Sequence, residues 1–124
     1  MKEKIELEYN LNTSPKVLFP RLSTPSGLSE WFADNVNLQG NLFTFIWDDI
    51  EQQAELVNMK ENKCIRFKWI NENNNGYFEF RINQEELTGS LALLVTDFIE
   101  DYEKDEIVDL WDSQINALKR ALGI

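Results

Sequence analysis

The chain of 124 residues contains no histidine and only one cysteine. Without histidine neither a Ser-His-Asp nor a Cys-His arrangement can be built, the commonest neutral-pH general base is missing, and zinc lacks its usual ligands. No cofactor is implied. Cys64 has no partner for an intramolecular disulfide and no base beside it, so it reads as a small buried apolar residue in a reducing compartment. Basic residues are also scarce: 12 lysines and arginines stand against 22 acids, a formal charge of −10. That balance repels phosphate backbones and anionic membrane surfaces, which argues against nucleic acid as a partner. No apolar run approaches the ~20 residues of a membrane span. The opening MKEKIELEYN carries charges where a signal peptide needs an apolar stretch. The expectation is one cytoplasmic domain over residues 1–124, not inserted in a membrane, with no repeat or linker. Its length suffices to bury roughly two thirds of the unfolded surface around a single core.

What the sequence does have is alternation. Ile5, Leu7, Tyr9 and Leu11 point one way and Glu6, Glu8 and Asn10 the other, the pattern of a half-buried strand. Two proline-led helix starts follow. Ser14-Pro15 opens a short helix whose apolar side is Val17, Leu18 and Leu22, and Pro20 predicts a kink or an end near Phe19. Thr24-Pro25 opens a second, with Leu28, Trp31 and Phe32 as its apolar patch and Asp34-Asn35 as its stop.

The strand pattern then resumes through Val36 to Leu38 and Leu42 to Trp47, turning at Gly40-Asn41 and Asp48-Asp49. Gln53 to Met59 has one wet face, Glu61-Asn62 turns the chain back, and Ile65, Phe67 and Trp69 alternate against Arg66 and Lys68. Asn71 to Gly76 reads as a polar loop, the expected flexible tip. Phe78, Phe80 and Ile82 alternate against Tyr77, Glu79 and Arg81. After Gly89, Ser90 to Phe98 is apolar on both faces at LALLV, which predicts a central strand covered on each side.

The last stretch, Asp105 to Leu122, changes period. Ile107, Leu110, Trp111, Ile115, Leu118 and Leu122 recur at three- and four-residue steps and form one helical stripe. Asp101, Glu103, Asp105 and Glu106 lie where the positive end of the helix dipole favours acids, and Lys119 and Arg120 where the negative end favours cations. A sheet with one apolar face is the natural support for such a stripe.

Few residues suggest chemistry. Glu79 and Arg81 share a strand face with Tyr77, and in a cavity such a pair could orient a polar head group. The opposite face, with Phe78 and Phe80, is plainly the core one, so the expectation for Glu79 and Arg81 is a solvated outer face. Asp97 follows Leu93 and Val95 on an apolar strand face, where burial would raise its pKa and suit it to acid or base work; its place at the strand end favours solvent. Asp48, Asp49 and Glu51 lack EF-hand spacing and read as a turn, so no metal site is expected. The aromatic set, Trp31, Phe32, Phe43, Phe45, Trp47, Phe67, Trp69, Phe78, Phe80 and Trp111, reads first as core, each ring burying ~150–250 Å².

Three segments carry a resemblance: TSPKVLFPRLSTPSGLSEWFA (13–33), GNLFTFIWDDIEQQAELVNMKENKCIRFKW (40–69) and LWDSQINALKRAL (110–122). With the element order they resemble the START-like (SRPBCC, helix-grip) superfamily, and within it the domain of the activator of the Hsp90 ATPase. The resemblance implies an α+β helix-grip fold: a curved antiparallel sheet of about six to seven strands, two short helices after the first strand, and a long C-terminal helix packed on the sheet. It implies a pocket between sheet and helix, lined by the ten aromatic residues above with Ile115 and Leu118, and with Asp97 and Arg81 as polar candidates. It further implies a hydrophobic small molecule bound without being transformed. The alternatives are a protein-interaction module using the acidic surface from Glu100 to Asp112, and a cyclase- or hydrolase-like enzyme, which would need Asp97 or Arg81 in the pocket.

Overall fold

The computed structural model describes residues 2–70 and 76–124; the polar loop expected from Asn71 falls, up to residue 75, outside them. The alternating segments form seven strands: β1 (Glu3–Leu11), β2 (Asn35–Gln39), β3 (Leu42–Trp47), β4 (Ile50–Lys60), β5 (Cys64–Trp69), β6 (Tyr77–Gln84) and β7 (Leu91–Ile99). They make one antiparallel sheet in the order β1-β7-β6-β5-β4-β3-β2, a meander closed by the return of the first strand alongside the last. Between β1 and β2 lie α1 (Pro15–Ser23) and α2 (Pro25–Leu28). A 3₁₀ turn (Asp101–Glu103) leads from β7 into α3 (Lys104–Leu122).

The register explains why one face of the sheet is the core. Leu93 pairs with Tyr9 and Ile82, Val95 with Leu7 and Phe80, Phe80 with Ile65, and Phe78 with Phe67. Phe67 pairs with Leu56, Ala54 with Trp69 and Phe43, and Phe45 with Val36. Every inward residue of one strand therefore meets an inward residue of the next, as a side-chain period of two requires; a slip of one residue would turn the whole row outward. Buried rings mesh across these pairs, for example Phe67 stacked on Phe78 at 4.9 Å and edge-on to Phe43 at 5.0 Å. The turns follow their residue types: Asp48 and Asn62 take positive φ of 51° and 63°, and Gly40 takes 63°.

α3 closes this face with Trp111, Ile115 and Leu118 buried. The 3₁₀ turn that leads into it opens on a capping box in which the Glu100 N–H donates to Glu103 Oε1 at 2.9 Å. At the exit of α3 Gly123, at φ 75°, lets its own N–H and that of Ile124 donate to Arg120 O and Lys119 O. Leu110, counted in the apolar stripe, is instead 53% exposed at the edge of that face.

Three further expectations are corrected. α1 does not end near Phe19 but continues through Pro20 to Ser23. The hydrogen bond that proline removes would have reached the carbonyl of Lys16, an exposed first-turn residue that water can satisfy, and the buried Leu18, Phe19 and Leu22 hold the helix down. α2 is only one turn long, and Trp31 and Phe32 lie in the tight turns after it, because the N–H groups of residues 31–33 all converge on Leu28 O. β7 is paired on both sides but stands next to the β1 edge rather than in the middle of the sheet, and among the described residues its outer face is half-buried at Ala92, Leu94 and Phe98 and buried at Thr96.

Candidate functional site: a cleft under the C-terminal helix

The closing helix does not seal the sheet along its whole length. At the end of the sheet where β3, β5 and β7 finish, a cleft of about 840 Å³ opens between the sheet, the segment 29–34 and the N-terminal half of α3. Its aromatic surface comes from Trp31, Phe32, Trp47, Trp69 and Trp111, and its apolar rim from Ile50, Ile107, Leu110 and Ala117. Ile50 and Leu110 are 60% and 53% exposed, two large aliphatic side chains facing one opening.

Each wall is held by a specific bond. The Trp31 indole N–H donates to Arg21 O at 2.8 Å, tying segment 29–34 to α1. The Trp47 indole N–H donates to Phe32 O at 2.7 Å, and the Gln114 side-chain amide donates to the same carbonyl at 3.0 Å, joining β3, segment 29–34 and α3 at one oxygen. Asp34 Oδ2 accepts from the Asp48 N–H at 2.8 Å and so links that segment to the β3–β4 turn. Arg21 reaches two elements: its Nη2 donates to Ala121 O at 3.3 Å, and its Nε lies against Glu30 Oε2 as an ion pair whose angle is too bent for a hydrogen bond.

Asp97 is the carboxylate set deepest among the lining residues. Its Oδ2 accepts from the Trp111 indole N–H at 2.9 Å and its Oδ1 from the Phe98 N–H at 2.8 Å. Burial raises its pKa above the ordinary aspartate value, with Glu103 adding in the same direction, against the lowering effects of those two hydrogen bonds and of Lys2. On the same helix, Asp112 Oδ1 accepts from Tyr9 Oη at 2.7 Å; desolvation, then that bond, pushes the phenol well above its usual range.

The expected lining residues divide into two groups. Trp31, Phe32, Trp47, Trp69, Trp111 and Asp97 meet at the cleft. Phe43, Phe45, Phe67, Phe78, Phe80, Ile115 and Leu118 lie behind them in the closed core, each at most 1% exposed. Trp111 belongs to both: it is 5% exposed, stacks on Phe32 at 5.8 Å and meets Phe80 edge-on at 5.9 Å, yet one side faces the cleft.

Arg81, the other polar candidate, is not among the residues lining the cleft. It stands on the outer face of β6, half-exposed, 3.8 Å from Glu79. That outer face is not simply solvated either. Glu79 is 6% exposed, paired by Arg66 Nε at 3.0 Å, while the Arg66 guanidinium lies 3.9 Å over the Tyr77 ring. Three long side chains lying flat on a sheet can bury a carboxylate that alternation alone assigns to water.

The cleft also holds polar residues absent from the expected lining: Ser29, Glu30, Asp34, Gln52 and Gln114. Gln114 alone had a signal, being three residues after Trp111 and four before Leu118, hence on the apolar side of the helix. Among the described residues no group of three acidic or cysteine side chains is placed to hold a metal ion, and no helix is long and apolar enough to cross a membrane.

This arrangement, a seven-stranded antiparallel sheet gripping one long helix over an apolar cleft, is the helix-grip architecture. The family model for the START-like superfamily domain matches residues 1–124, and the chain belongs to that superfamily. The solution structure of BfR322 from Bacteroides fragilis is 44% identical, covering 97% of this chain and 90% of that one, with a TM-score of 0.69. The Aha1 dimer from Colwellia psychrerythraea shares 17% identity over 98% of this chain and 97% of that one, with a TM-score of 0.82. DynU16, a protein of the dynemicin biosynthetic locus, shares 12% identity over 97% of this chain and 47% of its own, with a TM-score of 0.80. At that identity the last two show the fold alone. No curated protein matches the sequence.

Proposed function

We propose that this domain binds a hydrophobic small molecule, without transforming it, in the cleft between the sheet and α3. The observation that carries the reading is the cleft itself: about 840 Å³, aromatic on its inner surface and rimmed by exposed Ile50 and Leu110. A volume of several hundred Å³ with mostly apolar walls and a few placed polar groups is the usual form of a small-molecule site. All four tryptophans line it, so intrinsic fluorescence reports on occupancy. Titration with decanol and with larger apolar probes should give saturable quenching, and Ala117→Trp, which places an indole at the rim, should abolish it. A linear, unsaturable response in the parent protein counts against the reading.

One observation favours a second reading, a protein contact through the acidic surface. Tyr102 is 88% exposed between Asp101 and Glu103, an aromatic side chain left in water within an acidic stretch. A partner would present basic residues and a pocket for the ring. Binding to such a partner should weaken in high salt and with Tyr102→Ala, and a contact insensitive to both does not use this surface.

A further inference from the structure

The hydrogen-bond inventory of the cleft bears on the charge of what enters it. Segment 29–34 has no backbone N–H to offer: Ser29 donates to Pro25 O, Glu30 to Gly27 O, residues 31–33 to Leu28 O and Asp34 to Ile46 O. The indole N–H groups of Trp31, Trp47 and Trp111 are held by Arg21 O, Phe32 O and Asp97. The Ser29 hydroxyl donates to Ser26 O. Among the described residues lining the cleft there is no lysine or arginine. An anionic head group would lose its hydration and find no cation in return, only scattered neutral donors such as the Gln52 amide and the Trp69 indole N–H.

The acceptors are different. Three carboxylates line the cleft, Glu30, Asp34 and Asp97. Arg21 offsets Glu30, and Lys2 acts on Asp97 from outside the lining with Glu103 opposing it, so Asp97 and Asp34 are the net acceptors. A carboxylate has about four lone-pair sites, and Asp97 and Asp34 use two and one of them in the bonds described. With three indole N–H groups turned into the protein, what those rings leave to the cleft is their π surface, which attracts cations.

We infer that the cleft takes an organic cation: an apolar or aromatic body that lies on Trp31, Trp47, Trp69 and Trp111, carrying an ammonium group directed at Asp97. This rests on the reading of the cleft as a small-molecule site and adds the charge of the ligand. The chain's formal charge of −10 works in the same direction by concentrating cations near the surface.

The test compares three probes with one body, decyltrimethylammonium, decanol and decanoate, each below its micelle concentration, by tryptophan fluorescence and calorimetry. The cation should bind at least about tenfold more tightly than either of the others. Asp97→Asn should abolish the advantage of the cation over decanol when both are measured on that variant, and a cooperative urea transition shows that the variant folds. Glu85→Gln removes the same one charge from the exposed loop before β7, at the other end of that strand, and should change nothing. A cation that binds no more tightly than decanol or decanoate overturns the inference and leaves the apolar cleft standing. Equal losses in the two variants overturn it in favour of diffuse attraction to an acidic surface. If none of the three saturates, the small-molecule reading fails and this inference with it.

Discussion

Trp111 and Asp97 form a hydrogen-bonded side-chain pair that ties α3 to β7 at the cleft, and each sets the other's behaviour. The indole N–H lowers the pKa that burial raises. Trp111→Phe keeps a ring against Phe32 but removes the donor, so the Asp97 pKa should rise further in a carboxyl NMR titration. Leaving that half-buried oxygen short of a partner should cost about 1–3 kcal/mol, read as a lower urea midpoint at unchanged m. The pH dependence has a definite sign. A carboxylate whose folded pKa is raised contributes stability that is fully present below its ordinary value near 4 and is lost as pH rises through the folded value. Asp97→Asn lacks this dependence, so its deficit relative to the parent should be larger near pH 3.5 than near pH 7. A deficit that is constant with pH would mean that Asp97 does not titrate differently on folding.

At the scale of elements the two short helices meet closely at Gly27. A Cβ on Gly27 would stand 2.1 Å from Pro20 O and 2.7 Å from Arg21 Cα, so backbone meets backbone with no flexible side chain to give way. Gly27→Ala should therefore destabilise by about 3 kcal/mol despite the better helix propensity of alanine, measured by chemical denaturation. It should also disturb the cleft, because the carbonyl of Arg21 receives the Trp31 indole. Gly123→Ala is a different case. Nothing lies within 4 Å, and the cost is only the positive φ of 75°, about 1 kcal/mol. The Thr24-Pro25 start was legible in sequence, and the Thr24 hydroxyl does accept from the Gly27 N–H at 3.0 Å. The need for glycine at position 27 was not, because it comes from a neighbour in space.

For the whole molecule, a ligand that enters the cleft binds the folded state alone and stabilises it by mass action. At one hundred times its Kd the gain is about 2.7 kcal/mol, which for a chain of this size raises Tm by about 10 °C. Decyltrimethylammonium should produce that shift in a thermal melt, and Ala117→Trp should cancel it. An unchanged Tm at saturating fluorescence signal would place the quenching elsewhere than in a site of the folded protein.

The strand periods, the proline-led helix starts and the closing amphipathic helix determined a sheet and a helix with one apolar face each, and the resemblance of those segments to the START-like superfamily implied their arrangement as a helix grip. Such patterns record which face of each element is apolar, and a sheet and a helix with one apolar face each have few ways to pack. Which aromatics close the core and which line a cleft was decided only by tertiary structure. Phe45 and Trp47 share a strand face and a chemistry, yet one is sealed and the other meets the opening. The difference is their position relative to the N-terminal half of α3. Arg81 and Glu79 turned on the same kind of fact: alternation assigned them to the outer face, but only the neighbouring strand brought Arg66 over Glu79 and buried it. Alternation reports the face of a residue, and burial depends on what the rest of the chain lays across it.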